Sequence, residues 1–249
     1  AAEGLGIYAS YGINGREPTR NDMFAGFDNL DTTNVAFVGP LERVRPERVR
    51  DLETGVTYQN ATLSAQANLF AMEFREEIAP IGELSYLGSP LRKNVGRSYR
   101  RGLELDATWR PAARLTLGGS ATLMRARIAE YTDDATGETF RDVAPLLTPE
   151  VLVSHQGTVA LTRELSAGVA GRYMGRSYLA NTGDARFVLP SSYLLDGHVS
   201  WTRGRWGLAV HANNLSDANA YASGYTDGAA SYYFVAPPRN VLVTAKLGF

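Results

Sequence analysis

The 249-residue chain has no cysteine, which excludes a disulfide framework and any thiolate-bound metal or redox pair. It has three histidines, none in a His-Glu-x-x-His array, and no Gly-x-Ser-x-Gly or phosphate-loop segment. No catalytic residue, metal ligand set or cofactor is therefore expected. No apolar run reaches the roughly 18 residues of a membrane-spanning helix. The formal net charge is −1 and the Lys and Arg residues are dispersed, so the basic mass of a nucleic-acid-binding protein is missing. The N-terminus, Ala-Ala-Glu-Gly-Leu-Gly-Ile-Tyr, lacks the basic and apolar regions of a secretory leader, which points to a mature chain or, preferably, a fragment. A mean hydropathy of −0.20 normally goes with a soluble protein. That inference fails for a membrane barrel, whose strands give lipid only alternate residues.

What the chain does have is strand periodicity, best developed at its end. Phe249, Leu247, Ala245, Val243 and Val241 fall on one face, against Gly248, Lys246, Thr244 and Leu242. The strand stops on an aromatic, as the last strand of bacterial outer-membrane proteins does in the resemblance it carries. Ten strands are predicted, over 4–13, 47–58, 62–74, 97–109, 115–129, 148–160, 165–178, 191–202, 206–215 and 240–249, with no helix. Alternation is clearest where Tyr99, Leu103, Leu105, Ala107 and Trp109 oppose Ser98, Arg100, Gly102, Glu104, Asp106 and Thr108, Arg101 being the exception. It is weakest where Phe70, Met72 and Phe74 fall on the polar phase, and where His155 falls on the apolar one.

The links between these strands alternate in length. Residues 59–61, 110–114, 162–164 and 203–204 are short; 14–46, 75–96, 130–147, 179–190 and 216–239 are long. That pattern describes an up-and-down barrel with tight turns at one rim and long loops at the other. A propeller would repeat a blade signature, and a sandwich would not sort its loops by length. Tyr58, Trp109, Trp201, Trp206 and Phe249 all sit at strand ends beside short turns or the terminus, on the apolar phase. This is the placement of an interfacial aromatic belt; the plainer reading is the ordinary taste of aromatics for strand ends.

Three segments resemble the TonB-dependent outer-membrane receptors. Tyr8-Ala-Ser-Tyr-Gly-Ile-Asn-Gly-Arg-Glu-Pro-Thr19 is similar to a strand followed by their Arg-x-Pro-Thr turn. Arg45-Pro-Glu-Arg-Val-Arg-Asp-Leu-Glu-Thr-Gly55 and Asn94-Val-Gly-Arg-Ser-Tyr-Arg-Arg-Gly-Leu-Glu104 are similar to their Pro-Glu, Glu-x-Gly and Gly-x-Glu strand pair. Asn213-Asn-Leu-Ser-Asp-Ala-Asn-Ala-Tyr221 is similar to their Asn-Leu-x-Asp-x-x-Tyr segment, followed by Pro238-Arg239 and the terminal Phe strand. The resemblance implies an all-β, antiparallel transmembrane barrel of about 22 strands, of which residues 1–249 would be about the last ten, without the plug domain and TonB box. It also implies the bacterial outer membrane, and a receptor that imports a ferric siderophore or cobalamin, or a glycan. The implied partners are the TonB complex through the missing plug, outer-membrane lipid and lipopolysaccharide, and the barrel-assembly machinery through the Phe249 strand.

Two groups of residues are candidates for chemistry. If Arg203-Gly204 were the centre of a two-residue hairpin, Trp201 would face Trp206 and Asp196 would face His211, with His198 close by on the polar face. That pair could be a proton relay, a metal point or a catalytic dyad, or a polar pair satisfying a polar lumen. The long links carry Arg16, Arg20, Asp22, Phe24, Phe27 and Asp28; Tyr86, Arg92, Lys93 and Arg97; and Tyr221, Tyr225, Tyr232, Tyr233 and Phe234. They suit a basic, aromatic mouth for an anionic, ring-bearing ligand, or are ordinary loop charges and girdle tyrosines. The leading expectation is an importer. A self-contained ten-strand barrel enzyme, protease-like, and a passive porin are the alternatives.

Overall fold

The computed structural model describes residues 4–24, 26–37, 44–85, 87–134, 136–227 and 229–248. Its strands are β1 (Gly4–Arg16), β2 (Glu47–Gln59), β3 (Leu63–Leu84), β4 (Pro90–Ala112), β5 (Leu115–Thr132), β6 (Thr139–Val143), β7 (Val151–Ala160), β8 (Leu165–Met174), β9 (Ser177–Tyr178), β10 (Val188–Leu189), β11 (Ser192–Arg203), β12 (Trp206–Asn213), β13 (Tyr221–Thr226), β14 (Ser231–Val235) and β15 (Asn240–Leu247). A five-residue helix, α1 (Arg20–Phe24), and a 3-10 turn at Val35–Phe37 lie between β1 and β2. No described helix is long and apolar enough to cross a membrane.

Ten strands form one antiparallel meander in the order β1-β2-β3-β4-β5-β7-β8-β11-β12-β15, and β6 folds back on β5. β9 pairs with β10, and β13 with β14, as separate hairpins within long links. The expected ten strands are therefore all present and in sequence order. Their lengths differ from expectation. β3 and β4 run on to Leu84 and back from Pro90, so most of the predicted 75–96 loop is strand. Pro80, Gly82 and the charges around them read as loop because a strand beyond the membrane has no lipid face to keep apolar. The backbone at Glu76 is left-handed (φ 54°), and the β3–β4 register slips between Pro80 and Leu84. Residues 148–150 are not strand, and residues 175–178 leave the sheet, with Ser177–Tyr178 forming β9.

The register sorts the side chains onto two faces, because directly paired residues share a face. One row runs Leu63, Trp109, Leu117, Gly157, Val169, Gly197, Ala212 and Val241. This is the apolar face. On it Leu5 is 71% exposed, Ile7 77%, Leu69 57% and Val243 60%. The opposite, polar face carries Tyr8, Glu53, Asn68, Glu104, Gln156, Asp196 and His198. A sheet whose large apolar residues are its most exposed ones is built for a non-aqueous solvent. The compact cores lie instead at the long-link end. Ala79, Val95, Ile128, Tyr131 and Val143 form one, and Leu179, Ala180, Phe187 and Leu189 the other.

Candidate functional site

The short-turn rim comes first. Tyr58, Trp109, Trp201 and Trp206 all lie on the apolar face at strand ends beside tight turns. Phe249 lies outside the described residues. Trp201 and Trp206 are not directly opposite, because Trp201 pairs with Leu208 and Trp206 with Arg203. The turn between β11 and β12 is Gly204-Arg205, with Gly204 at φ 59°, and not Arg203-Gly204. Only glycine takes that conformation without strain, so the turn moves one residue and the register moves two.

That shift also corrects the Asp196–His211 pair. Both residues are on the polar face, but His211 pairs with His198, the rings stacked with centroids 5.8 Å apart. Asp196 accepts the Asn214 backbone N–H at 2.8 Å and faces the Arg172 guanidinium at 3.7 Å. Asn214 is left-handed (φ 51°) and almost fully buried. Its side-chain amide donates to the Ala218 and Pro237 carbonyls and accepts the Ala218 N–H. Asp217 accepts the Arg239 N–H at 3.0 Å. The Asn-Leu-x-Asp segment and the Pro238-Arg239 dipeptide are thus two halves of one clamp at the foot of the last long link, and Asp196 is its third member.

The Glu-x-Gly and Gly-x-Glu segments meet on the polar face. Gly55 lies between Tyr8 and Asn68 in one cross-strand row, and a Cβ there would come within 2.6 Å of the Tyr8 ring. The bare backbone lets Tyr8 lie flat across β2, donate to Asn68 Oδ1 at 2.9 Å and accept from Gln66 Nε2 at 3.1 Å. A Cβ at Gly102 would overlap the Leu123 carbonyl oxygen and the Phe70 ring, so Phe70 lies across β4 in the same way. This is how an aromatic on the polar face is buried. Phe74 is accommodated by a second device, the Arg100 guanidinium 4.5 Å from its ring centroid. Asn68, 5% exposed, points its amide nitrogen at Glu53 (3.5 Å) and Glu104 (3.4 Å). Among the described residues neither carboxylate has a salt-bridge partner. Tyr8, Asn68 and Gln66 had no sequence signal beyond strand phase.

The mouth residues are tied mostly to one another. Asp22, 7% exposed, receives Arg16 at 3.1 Å and Arg92 at 3.3 Å. It also accepts the Thr19 N–H at 2.9 Å while the Thr19 hydroxyl accepts the Asp22 N–H, a capping box that starts α1. The Arg-x-Pro-Thr segment is this cap plus the arginine that grips it. Arg20 pairs with Asp28 at 3.0 Å. Lys93 pairs with Asp134 at 3.1 Å, donates to the Thr132 carbonyl, and stands 4.4 Å over the Tyr131 ring. Arg92 and Lys93 are on β4, not in a loop. Arg97 is on the apolar face, paired in register with Arg75. Tyr86 lies outside the described residues. Asn94 bridges the Arg45 and Glu76 carbonyls, and Glu47 accepts the Ile78 N–H at 2.7 Å, which anchors the start of β2 to the β3 bend.

The long links pack into one cap. Asn181, 1% exposed, accepts the Leu146 N–H and donates to the Pro80 carbonyl, both at 2.8 Å, joining three segments. Tyr233 donates to the Val188 carbonyl at 3.0 Å. On the β13–β14 hairpin, Tyr225 and Tyr232 stack at 4.9 Å, with Phe234 6.0 Å from Tyr225. Tyr232 and Phe234 are exposed at 43% and 55%, so this is an open aromatic surface. The Asp227 carboxyl is held below the usual carboxylate range by the Ala230 and Ala229 N–H groups and by the Tyr232 hydroxyl. The same bond raises the Tyr232 phenol.

This architecture has close structural counterparts. The chain superposes on the ferric yersiniabactin uptake receptor FyuA from Yersinia pestis with a TM-score of 0.71 at 20% identity, covering 98% of this chain and 35% of that one. It superposes on the siderophore receptor PiuA from Acinetobacter baumannii with a TM-score of 0.74 at 19% identity, covering 98% and 34%. The copper transporter OprC gives 0.74 at 17%, covering 100% and 38%. The chain thus spans about a third of the length of these receptors. No curated protein matches it by sequence. The family model "TonB dependent receptor-like, beta-barrel" matches residues 1–215, and with the open meander, the exposed apolar face and the polar lumen-side network this places the chain among the TonB-dependent receptors, within their β-barrel domain.

Proposed function

We propose that the chain is the wall of an outer-membrane importer that takes up a bulky nutrient, a ferric siderophore, with energy delivered from the TonB system. The observation that carries the reading is the pair of carboxylates, Glu53 and Glu104, held on the polar face beside Asn68 with no salt-bridge partner among the described residues. Glu53 is half-buried and Glu104 exposed on this open face, and a body that covered them would have to bring a positively charged partner to offset their desolvation. A plug domain seated in the barrel would supply it. A passive porin has no such partner, and an enzyme would place its acids against a reacting group at the rim. The siderophore assignment draws on FyuA, a ferric yersiniabactin uptake receptor, and PiuA, a siderophore receptor. It also draws on the exposed Tyr225–Tyr232–Phe234 surface, which suits ring-bearing ligands. The reading assigns the chain no bond chemistry: Asp196 serves as a clamp and His211 stacks on His198.

The test is made in the full-length receptor. Glu53→Gln with Glu104→Gln should loosen the plug, seen as passive entry of a large antibiotic, and should lower siderophore-dependent growth. Unchanged exclusion and unchanged growth in a normally assembled double variant would overturn the assignment of these carboxylates to the plug.

A further inference from the structure

The tight-turn rim is strongly basic. Its last three turns hold Arg110 and Arg114 where β4 meets β5, Arg163 and Glu164 between β7 and β8, and Arg203 and Arg205 where β11 meets β12. All five arginines are exposed. Glu164 is the one acid in these turns, and it meets Arg203 at 3.5 Å. Among the described residues Arg110, Arg114, Arg163 and Arg205 have no salt-bridge partner. At the opposite end of the wall Arg16, Arg20, Arg92 and Lys93 each meet an aspartate. A cluster of one sign without its own counter-charge raises a positive field over the turns.

The phase of these side chains decides what can meet that field. Lipid touches the wall on the apolar phase, where Trp109, Trp201 and Trp206 mark the headgroup level. Arg110 and Arg114 are on the opposite phase. The ladder continues through both: the Arg110 N–H donates to the Thr62 carbonyl at 2.7 Å, and the Arg114 carbonyl accepts the Ala160 N–H at 2.8 Å. Each therefore keeps the alternation set by its neighbour, Trp109 or Leu115. Arg163 and Arg205 stand at the turn tips, beyond the last ladder pairs. Arg203 is on the apolar phase, opposite Trp206, and it is the one held by Glu164. The uncommitted charges thus face water and not lipid.

Spacing narrows the partner further. Successive turns of the three are two strands apart in the meander, and strands lie about 4.8 Å apart, which puts the turns roughly 10 Å from one another. An extended peptide advances about 3.3 Å per residue, so every third residue of it would meet the next turn. Planar guanidinium groups bind carboxylates bidentately.

We propose that Arg110, Arg114, Arg163 and Arg205 form a docking strip for an extended acidic peptide segment of a water-soluble partner, with a carboxylate at about every third residue. The proposal rests on the reading of the chain as an outer-membrane wall whose short turns face the periplasm. The strip lies at the other end of the wall from the aromatic surface of the long links, so its ligand is a partner chain and not the cargo.

Purified full-length receptor in phosphatidylcholine nanodiscs is titrated with a short fluorescent peptide carrying Glu at every third position among Ser and Gly, and with the same peptide carrying Gln in place of Glu. The Glu peptide should bind, with an affinity that falls as salt is raised, and the Gln peptide should not. Arg110→Gln, Arg114→Gln, Arg163→Gln and Arg205→Gln together should weaken the Glu peptide by on the order of tenfold or more. The four corresponding Lys replacements should keep most of the affinity. Wild type and Gln variant should carry equal amounts of phosphatidylglycerol through purification from cells. Equal binding of the two peptides, equal binding of the Glu peptide by wild type and Gln variant, or loss of phosphatidylglycerol from the Gln variant would overturn the proposal, the last by assigning the arginines to lipid. Because the readout is peptide binding to purified receptor, its failure leaves the importer reading standing, and that reading fails separately through Glu53 and Glu104.

Discussion

At the residue scale, two glycines explain two family segments. Gly55 and Gly102 both lie under an aromatic on the polar face, Tyr8 and Phe70, but what a methyl group would meet differs. At Gly55 the obstacle is the far end of the Tyr8 side chain, which can swing away at the cost of its bond to Asn68. At Gly102 the obstacle includes a backbone carbonyl in the neighbouring strand, which cannot move without breaking the ladder. Gly55→Ala should therefore cost about 1 kcal/mol, the net worth of one hydrogen bond, and Tyr8→Phe should absorb most of that cost in the double variant. Gly102→Ala should cost about 1–3 kcal/mol or block assembly. Heat-modifiable mobility of the full-length receptor would measure both, and equal effects at the two sites would refute the argument.

At the scale of elements, the β11–β12 hairpin shows how one turn residue decides a site. The chain has no cysteine, so introduced pairs report cleanly. His198→Cys with His211→Cys are directly opposite and should form a disulfide readily. Asp196→Cys with His211→Cys are diagonal, with Cα atoms about 7–8 Å apart, beyond the usual disulfide span. Cross-linking of the second pair and not the first would restore the register expected from sequence. The β13–β14 hairpin makes a pH prediction. Asp227 has its folded pKa depressed, first by the Ala230 N–H. A depressed carboxylate stabilises above its unfolded pKa and loses that contribution as pH falls through the folded value. Amide exchange at Ala229 and Ala230 should thus be slow near neutrality and speed up below the ordinary carboxylate range. Asp227→Asn should exchange quickly at both pH values, and a flat pH response in the wild type would count against the loop carboxylate.

At the scale of the molecule, β1 and β15 are the two ends of the sheet and do not pair with each other. Among the described residues each leaves a row of N–H and C=O groups without a strand partner, which a bilayer cannot satisfy. The chain expressed as residues 1–249 alone should aggregate or insert poorly, and should give no stable single-channel conductance in planar bilayers. A steady conductance would show that it closes by itself. An unclosed run of ten strands is what a wall from a barrel of about 22 strands presents, rather than a closed ring of ten.

The ten wall strands, their order and the two faces were legible in the sequence because lipid on one side and a polar interior on the other impose a period of two on every spanning strand. The four described rim aromatics followed from the same phase. The extended ends of β3 and β4 were not legible, because outside the band no solvent difference marks the faces. Nor was the partner of His211, since a two-residue change of register leaves the hydrophobic pattern untouched and only the left-handed Gly204 selects between the alternatives. The tie of Arg16 and Arg92 to Asp22, the Asn68 network and the pairing of Arg97 with Arg75 likewise exist only once distant strands are paired. Periodicity is a local property that the sequence carries by itself. Which charges neutralise one another is decided by cross-strand neighbours, and those are set by the tertiary structure.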